Sequence, residues 1–341
     1  MTGLKKISVP GKLMLAGEYA VLLEEGRALA FTVERSLDIY VRLSTDGLFR
    51  VQSALWPTEF VAASLASESL PETLRAAPLL RALAESQQRF KNPPLHLRVD
   101  SKLDMKGGMG SSSAVILGAC MASALFGQAP DQPLAIAELA YAIQKKLQGE
   151  ASGYDVLTQW LGALVSLQSA RDTWPGPWQQ HLGVEDNFKA LIHPFVGGRG
   201  APTIPVMQDT RRWLAEKNAE RDLRNLSAEL CASFLTVLTQ EFTSTHFAEL
   251  LTANAAHRKF FAPSPHFPRE LAAALQKVKG CDQAWTFKTT GAGGEDAILL
   301  IGPIKALCGA RQVLQERAWY PLNCPFSAKG LAIEDAHDPY L

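Results

Sequence analysis

Residues 106–113 combine glycines and hydroxyls in a pattern that suits phosphate binding. The stretch reads Lys106, Gly107, Gly108, Met109, Gly110, Ser111, Ser112 and Ser113, and it runs into an apolar segment, residues 114–126. Glycine lets a ligand approach the backbone closely, and serine is favoured at a helix N-terminus. Because the first turn of a helix carries unpaired N–H groups and partial positive charge, the pattern predicts an anion site, usually for phosphate. A serine-capped glycine turn is the alternative.

Two charged residues lie on either side of a short apolar segment near the start of the chain. Lys12 follows a Pro-Gly turn, residues 13–15 are apolar, and Glu18 follows Gly17. A buried strand over residues 13–15 would hold Lys12 and Glu18 near its two ends, at the edge of a cleft. A surface lysine and a surface glutamate are the alternative.

Three further features lie beyond the first glycine stretch. Asp155 follows a Ser-Gly turn and precedes an apolar run, a place where an aspartate can cap a helix. Arg199 stands alone among the glycines of a loop, where an arginine can bind phosphate through its fork-shaped guanidinium or remain on the solvated surface. Residues 289–296 form a second glycine loop between two predicted strands, which a simple turn would also explain.

Common nucleotide-binding and hydrolase motifs are absent from the chain. The first glycine stretch lacks the G-K-[ST] ending of a Walker A loop, and neither stretch gives G-x-G-x-x-G in a dinucleotide context. The sequence also lacks H-R-D, D-F-G and G-x-S-x-G. Protein kinases and α/β-hydrolases are therefore not supported.

Composition indicates a globular protein with no general attraction for polyanions. The 341 residues include 34 Lys plus Arg and 34 Asp plus Glu, so the net charge is zero, and we expect no nucleic-acid or membrane partner. No apolar run reaches the roughly 18 residues of a membrane span, and the N-terminus lacks an apolar leader core. The five cysteines are scattered, which favours reduced, buried thiols in a cytoplasmic protein.

The predicted elements place the glycine stretch between a strand and a buried helix. Residues 95–99 alternate as a strand does, and residues 112–126 are apolar nearly all round. Elsewhere the patterns predict a hairpin turning at residues 45–47, an interdomain connector over residues 171–187 and a last strand over residues 322–326.

Three segments together resemble the motifs of the GHMP kinase family. Residues 10–21 are similar to its first motif, residues 108–114 to its glycine–serine ATP loop, and residues 288–294 to its third motif, G-A-G-G. They occur in the family's order over almost the whole chain. The resemblance implies a two-domain α/β (α+β) fold, with a left-handed β-α-β unit in an N-terminal ATP-binding domain (residues 1–185) and a ferredoxin-like C-terminal domain (residues 186–341).

The resemblance also implies an ATP-dependent phosphotransferase that uses Mg²⁺ and a small-molecule acceptor. Residues 106–113 would wrap the triphosphate, and Ser112 would place a hydroxyl on phosphate or Mg²⁺. Asp155 would be the base or orienter for the acceptor oxygen, with Lys12 beside it stabilising charge. The implied substrate-binding residues are Glu18, Tyr19, Ser152, Gly153, Arg199, Lys288, Gly291, Ala292 and Gly293.

Within the family, the sequence is most similar to the branch that phosphorylates 5-phosphomevalonate to the diphosphate. Tyr19, Lys106 and Asp296 match that branch, whereas Gln144 stands where mevalonate kinases carry a magnesium-binding Glu. The pool of basic groups for an acceptor phosphate is Lys12, Lys106, Lys146 and Arg199. Two alternatives stay open: a kinase for mevalonate or another small alcohol, and a non-catalytic ligand sensor on the same fold. A monomer and a homodimer are equally compatible.

Overall fold

The computed structural model describes residues 3–54, 56, 58–66, 77–103, 107–170, 172–197, 203–291, 297–322 and 326–337. Twelve strands and ten α-helices are formed within these ranges. The strands are β1 (Lys5–Ala16), β2 (Arg27–Leu43), β3 (Phe49–Ser53), β4 (Phe60–Ala62), β5 (Leu95–Ser101), β6 (Leu164–Gln168), β7 (Trp178–His181), β8 (Ile192–Val196), β9 (Thr286–Thr289), β10 (Ala297–Ile301), β11 (Tyr320–Pro321) and β12 (Ala332–Asp335). The helices are α1 (Pro78–Phe90), α2 (Ser111–Phe126), α3 (Leu134–Gln148), α4 (Tyr154–Leu161), α5 (Glu185–Leu191), α6 (Thr203–Glu216), α7 (Glu220–Thr239), α8 (Ser244–Phe261), α9 (Arg269–Gln276) and α10 (Cys308–Glu316).

The larger sheet has the strand order β12-β1-β2-β5-β3-β4, with β6 and β7 attached to one end of β2. The long strand β2 pairs with β1 along one edge, while its other edge pairs first with β6 and then with β5. Most residues of β2 are buried, as expected for a strand in the interior of the sheet. Strands that are covered on both faces carry a near-continuous apolar sequence. Only β3 and β5 pair in parallel among the described strands of this sheet.

Helix α2 packs across the larger sheet as its apolar sequence predicts. Eleven of its sixteen residues are buried, and it contacts β1, β2, α1 and α3. Helix α1 buries one stripe of its surface, whereas α4 buries the consecutive residues Val156, Leu157, Thr158 and Gln159. The helix that begins at the glycine stretch is therefore held from several sides, which fixes the position of its N-terminus.

The smaller sheet has the order β11-β8-β10-β9 and is antiparallel throughout. Helices α6 to α9 connect β8 to β9, and α10 connects β10 to β11. This β-α-β-β-α-β order is the ferredoxin-like arrangement, as expected for the second half of the chain. The strand β12 lies beyond it in sequence and pairs with β1 in the larger sheet. The domain limits at residues 185 and 186 stay a prediction.

Several local predictions were wrong. The turn at residues 45–47 does not form a hairpin, because β5 lies between β2 and β3 and pairs with both. The connector over residues 171–187 contains β7 and the start of α5. A further strand, β12, follows the segment 322–326 that was predicted to be the last one, and residues 323–325 of that segment lie outside the described residues. The four residues of β12 are all exposed, so its sequence gives little apolar signal.

Two global expectations can be compared with the described part of the chain. No helix there is both long and apolar enough to cross a membrane. The four described cysteines are free; Cys120 and Cys231 are buried as expected, whereas Cys281 is half-buried and Cys308 is exposed. Cys324 lies outside the described residues.

Candidate active site

The first glycine stretch forms a tight loop that opens helix α2. Gly110 is the N-cap residue, with φ near 71°, a left-handed angle that glycine adopts without steric cost. Its carbonyl oxygen accepts from Ala114 N–H at 2.9 Å, from Ser113 Oγ at 2.9 Å and from Gln159 Nε2 at 3.0 Å. These three bonds hold the Gly110 carbonyl in place. The N–H groups of the first turn of α2 are then available to bind an anionic ligand.

Lys12 lies directly beneath this loop. Its side chain is only 5% exposed, and Nζ donates to the Gly108 carbonyl at 3.0 Å and to the Tyr154 hydroxyl at 2.7 Å. The backbone N–H of Lys12 donates to the Met109 carbonyl at 3.0 Å. Strand β1 therefore carries a buried cation to the point where a phosphate on the loop would lie, and the surface-lysine alternative is excluded.

Asp155 lies in the first turn of α4, whose N-cap is Gly153 in a left-handed conformation. The helix-cap explanation of Asp155 is therefore wrong. One carboxylate oxygen accepts from Gln144 Nε2 at 2.7 Å, and the other from Val156 N–H at 3.0 Å. These bonds orient the carboxylate in the wall of a cavity that Lys12 and Tyr154 also line.

The Ser-Gly turn before α4 packs against an aromatic pair. The rings of Tyr141 and Trp174 stack with centroids 4.6 Å apart, and Trp174 Nε1 donates to the Ser152 carbonyl at 3.0 Å. A side chain on Gly153 would overlap both rings. Glycine is therefore required here by close approach as well as by its φ of 70°. The turn delivers Tyr154 and Asp155 to the cavity in a fixed orientation.

Glu18 and Lys288 join the first and third motifs in the interior. They form an ion pair in which both side chains are at most 5% exposed, and Lys288 Nζ also donates to the Thr289 carbonyl at 2.7 Å. Nearby, the Thr290 hydroxyl donates to the Met14 carbonyl at 2.7 Å. The surface-glutamate alternative is wrong, and the third motif is anchored to β1 by buried polar contacts.

A cavity of about 200 Å³ brings most of the predicted groups together. Its described lining includes Lys12, Glu18, Tyr19, Gly108, Met109, Gly110, Ser111, Ser112, Ser113, Ser152, Asp155 and Gly291. A larger space of about 650 Å³ adjoins it and shares Glu150 and Ser152, but it contacts neither the glycine loop nor Lys12 and Asp155. The smaller cavity is therefore the candidate reaction site, because the groups able to do chemistry surround it.

The predicted residues in this cavity differ in what they contribute. Met109 and Ser113 are buried and structural, whereas Ser112 is exposed at the mouth of the loop. Tyr19 takes a left-handed φ of 61° and packs its ring 6.0 Å from Phe261. Gly153 and Lys288 do not line the cavity. Gly153 is the N-cap of the helix that carries Tyr154 and Asp155, and Lys288 pairs with Glu18.

Some predicted residues cannot be placed or lie elsewhere. Lys106, the first residue of the glycine stretch, lies outside the described residues, as do Arg199, Ala292, Gly293 and Asp296. Gly107 itself is buried. Lys146 was wrongly included among the acceptor-binding cations, since it projects from α3 to the Glu85 carboxylate at 2.5 Å.

The sequence motifs did not single out two side chains that contact site residues, Tyr154 and Gln159. Burial raises the pKa of Tyr154, so its phenol stays protonated, and the hydroxyl can donate to a ligand while accepting from Lys12. Gln159 holds the glycine loop through Gly110. Gln159 lies four residues after Asp155 on the same helix face, and that spacing is the signal that could have identified it.

Mg²⁺ prefers oxygen ligands and usually retains several waters. No group of three His, Cys, Asp or Glu side chains in the described ranges is arranged to hold a metal. The cavity does offer the Ser112 hydroxyl, the Asp155 carboxylate and Gln144 Oε1, a buried oxygen with no hydrogen-bond partner among the described residues. This all-oxygen set fits a metal held mainly by nucleotide phosphates.

Comparisons with known proteins agree with this geometry. Residues 76–163, which contain the glycine loop and the Ser-Gly turn, match the family model for the GHMP kinases N terminal domain. The chain is 26% identical over 306 residues to the mevalonate kinase of Saccharolobus solfataricus, covering 87% of this chain and 90% of that protein.

Two solved structures share the fold at low sequence identity. The phosphomevalonate kinase of Streptococcus pneumoniae, in complex with phosphomevalonate and AMPPNP, superposes with a TM-score of 0.73 at 16% identity, covering 94% of this chain and 99% of that one. The mevalonate kinase of Methanococcus jannaschii gives a TM-score of 0.69 at 16% identity over 94% and 98%. The fold is thus that of GHMP kinases. Residues 76–163 thus match the N-terminal domain of GHMP kinases, within a chain whose fold is of the same kind.

Proposed function

We propose that this protein transfers the γ-phosphoryl group of ATP to 5-phosphomevalonate, giving ADP and 5-diphosphomevalonate. The observation that carries the kinase assignment is the convergence of Lys12, Asp155 and the N-terminus of α2 on one cavity. A phosphate-binding helix terminus, a buried cation and an oriented carboxylate are what phosphoryl transfer requires, because its catalysis is mostly positioning and electrostatic stabilisation.

The choice of acceptor rests on charge around Asp155. Gln144 contacts this carboxylate as a neutral hydrogen-bond donor. Within the described lining, Glu18 is paired with Lys288 and Glu150 with Arg211, while Asp155 and Lys12 line the same cavity. A phosphomonoester acceptor brings close to two negative charges at pH 7. A neutral residue at position 144 therefore favours such an acceptor, since a glutamate there would repel it.

On the donor side, the chain binds and orients the triphosphate of ATP. The first-turn N–H groups of α2 face the phosphate oxygens, and the Ser112 hydroxyl lies at the exposed edge of the loop. Lys12, held between the Gly108 carbonyl and the Tyr154 hydroxyl, stabilises negative charge on the transferring group. Mg²⁺, held by the phosphates with Ser112 and the oxygens near Asp155, would neutralise charge between the β- and γ-phosphates.

On the acceptor side, the attacking oxygen belongs to the 5-phosphate. That oxygen forms a bond to the γ-phosphorus, the bond from this phosphorus to the β–γ bridging oxygen breaks, and ADP leaves. A phosphomonoester has a second pKa of about 6, so the oxygen is already deprotonated. Asp155 then has no proton to remove and serves mainly to orient the acceptor and Tyr154, while Lys12 carries most of the charge stabilisation.

Mevalonate is the second candidate acceptor, and the 26% identity to a mevalonate kinase over most of the chain favours it. The reaction then differs at one step. An alcohol oxygen must lose its proton as it attacks phosphorus, and Asp155 would receive that proton. The two candidates therefore predict different sensitivities to removal of the Asp155 carboxylate, with the larger loss for the alcohol.

The test is ADP release by purified protein with ATP and Mg²⁺, measured separately with 5-phosphomevalonate, mevalonate and galactose. We expect turnover with 5-phosphomevalonate and a product heavier by one phosphoryl group in mass spectrometry. Reactions without an acceptor give the background ATP hydrolysis, and the Asp155→Asn variant, which keeps the shape of the side chain, should lose more activity with mevalonate than with 5-phosphomevalonate.

Each other outcome has a defined meaning. Turnover of mevalonate without turnover of 5-phosphomevalonate would replace the first proposal by the second. Binding of ATP without any acceptor-dependent ADP release, together with an unchanged background in Asp155→Asn, would leave the non-catalytic sensor as the function of this fold.

A further inference from the structure

Two buried polar atoms face each other beside the candidate site without a hydrogen-bond partner among the described residues. They are Glu18 Oε2 and His257 Nε2, which lie 4.0 Å apart. Glu18 is 5% exposed and His257, on α8, is 4% exposed. Leaving such groups unpaired away from water destabilises a protein, so an unpaired couple facing each other indicates that a polar group from a ligand or a water bonds to both.

The space between them is a recess of about 30 Å³, lined in part by Glu18, His257 and Phe261. It adjoins the candidate reaction cavity, because Glu18, Tyr19 and Gly291 line both. A volume of this size holds one water-sized group. Phe261 and Phe267 contribute apolar lining, while Thr210, Ser264 and Thr289 line other parts of the recess, so it can take a small polar group together with part of the carbon that bears it.

Glu18 and His257 do not form an ion pair with each other. Burial, together with the charge of Lys288, lowers the pKa of His257 to about 3, so the imidazole is neutral at pH 7. Lys288 already neutralises Glu18 through its other oxygen, Oε1. Glu18 Oε2 is thus a fixed acceptor, and a neutral imidazole can present an N–H at Nε2 as a fixed donor.

The 4.0 Å separation fits one shared oxygen atom. An oxygen at about 2.8 Å from each atom makes an angle of about 90° between the two bonds, which hydroxyl groups and water tolerate. A hydroxyl there donates its hydrogen to Glu18 Oε2 and accepts from His257 Nε2–H. A carboxylate or phosphate oxygen is disfavoured, since it has no hydrogen to give to Glu18.

We propose that His257 and Glu18 form the binding site for the tertiary hydroxyl of the acceptor, which makes His257 a specificity-determining residue outside the three sequence motifs. This inference rests on the proposed function. Both candidate acceptors, 5-phosphomevalonate and mevalonate, carry a hydroxyl group on their branched carbon. Lys288 acts as a positioning residue by fixing Glu18. Acceptors that lack this hydroxyl leave both buried atoms unpaired and are rejected for that reason.

The experiment compares each acceptor with its 3-deoxy analogue, in which hydrogen replaces the tertiary hydroxyl. We expect wild-type protein to use the analogue with a kcat/KM about 100-fold lower. His257→Leu should reduce that preference to about 10-fold or less, because the variant lowers kcat/KM only for the hydroxylated acceptor. His257→Gln, whose amide can place an N–H near the position of Nε2, should restore much of the preference.

His266→Gln is the matched control. His266 lines the same recess, but its Nε2 is engaged by Asp209 Oδ2 at 3.0 Å. We expect this variant to keep the wild-type preference. Calorimetric titration of both ligands into wild type and each variant, with ADP present, gives the same comparison without turnover, and thermal melting identifies any variant that does not fold.

The outcomes separate this inference from the proposed function. Equal use and equal binding of the two ligands by wild type would overturn the hydroxyl site and assign the recess to a buried water. An unchanged preference in His257→Leu would also overturn it, while leaving phosphomevalonate kinase activity intact. Turnover of mevalonate alone would overturn the proposed acceptor, and the deoxy comparison made on mevalonate would still decide the site. If His257→Leu does not fold, the wild-type preference and His257→Gln decide.

Discussion

Gln144 donates its side-chain amide N–H to Asp155 Oδ2 at 2.7 Å, from one helix of the candidate site to the next. Both residues line the cavity, and Gln144 is only 3% exposed. The contact fixes the rotamer of Asp155 without placing a second charge beside it. The oxygen of the same amide is buried and has no hydrogen-bond partner among the described residues.

The Gln144→Glu variant tests the importance of a neutral partner. A second carboxylate at this distance repels Asp155, so we expect kcat to fall about 10- to 100-fold at low free Mg²⁺. Activity should recover in part at high free Mg²⁺, because a divalent cation between the carboxylates offsets the repulsion. The measurement is kcat as a function of free Mg²⁺.

Gln148→Glu is the control for that experiment. Gln148 lines the same cavity one turn further along α3 and has no described contact with Asp155. It adds the same charge, and we expect a change of no more than about threefold. Equal Mg²⁺ dependence of the two variants would show that general charge in the cavity, and not the contact with Asp155, determines the effect.

Lys12 can be tested by Lys12→Met, which keeps the length of the side chain and removes its charge. We expect kcat to fall about 10²- to 10³-fold, the usual cost of removing one group that stabilises developing charge, with a smaller change in KM for ATP. The control is Lys5→Met on the same strand, where Lys5 pairs with the exposed Asp335 at the protein surface. A tenfold rise in KM at unchanged kcat in Lys12→Met would instead assign Lys12 to substrate binding alone.

Gly110→Ala should damage the phosphate loop. An added Cβ would lie 2.8 Å from Lys12 Cε and 3.0 Å from Ser113 Oγ, in a backbone with φ of 71°. We expect at least a 10-fold rise in the Kd for ATP, measured by calorimetry. Gly108→Ala has a similar φ of 64° but meets no atom within 4 Å. The Gly108→Ala variant therefore controls for the backbone strain of a left-handed residue, which costs about 1 kcal/mol. Comparable losses of ATP affinity in the two variants would contradict the steric explanation.

The residues proposed to bind the donor could be selected from the sequence because they form one short run, residues 106–113. The glycine–serine stretch, Lys12 and Asp155 lie in short motifs, and each motif ends at a helix or strand terminus that the apolar pattern locates. Tertiary contacts between distant segments were not predictable in this way. His257 is 239 residues from Glu18, in a helix whose polar residues look like an ordinary exposed face. Only the packing of α8 against β9 brings them together.

The sheet topology shows the same limit. The turn at residues 45–47 has hairpin composition, yet β5 separates the strands that it joins. Turn chemistry specifies a local change of direction, whereas the choice of partner strand depends on which apolar faces are buried together. The strand β12 was missed for a related reason: it pairs with β1 at the sheet edge, where exposed polar side chains such as Glu334 and Asp335 reach Lys6 and Lys5.

Finally, His257 should make stability fall in acid. Burial and Lys288 lower its folded-state pKa from the ordinary 6.5 to about 3, so between these values the unfolded chain binds a proton that the folded protein does not. The free energy of unfolding therefore decreases as the pH falls from about 6.5 towards 3, by at most about 1.4 kcal/mol per pH unit from this residue. His257→Gln removes this ionisation, so urea unfolding between pH 4 and 6 should show a shallower slope for the variant, by about one proton. The control His266→Gln removes a histidine that is one-third exposed and bonded to Asp209. Parallel pH profiles for wild type and His257→Gln would mean that His257 is not held neutral in the folded protein, and Glu18 would then face a charged imidazole.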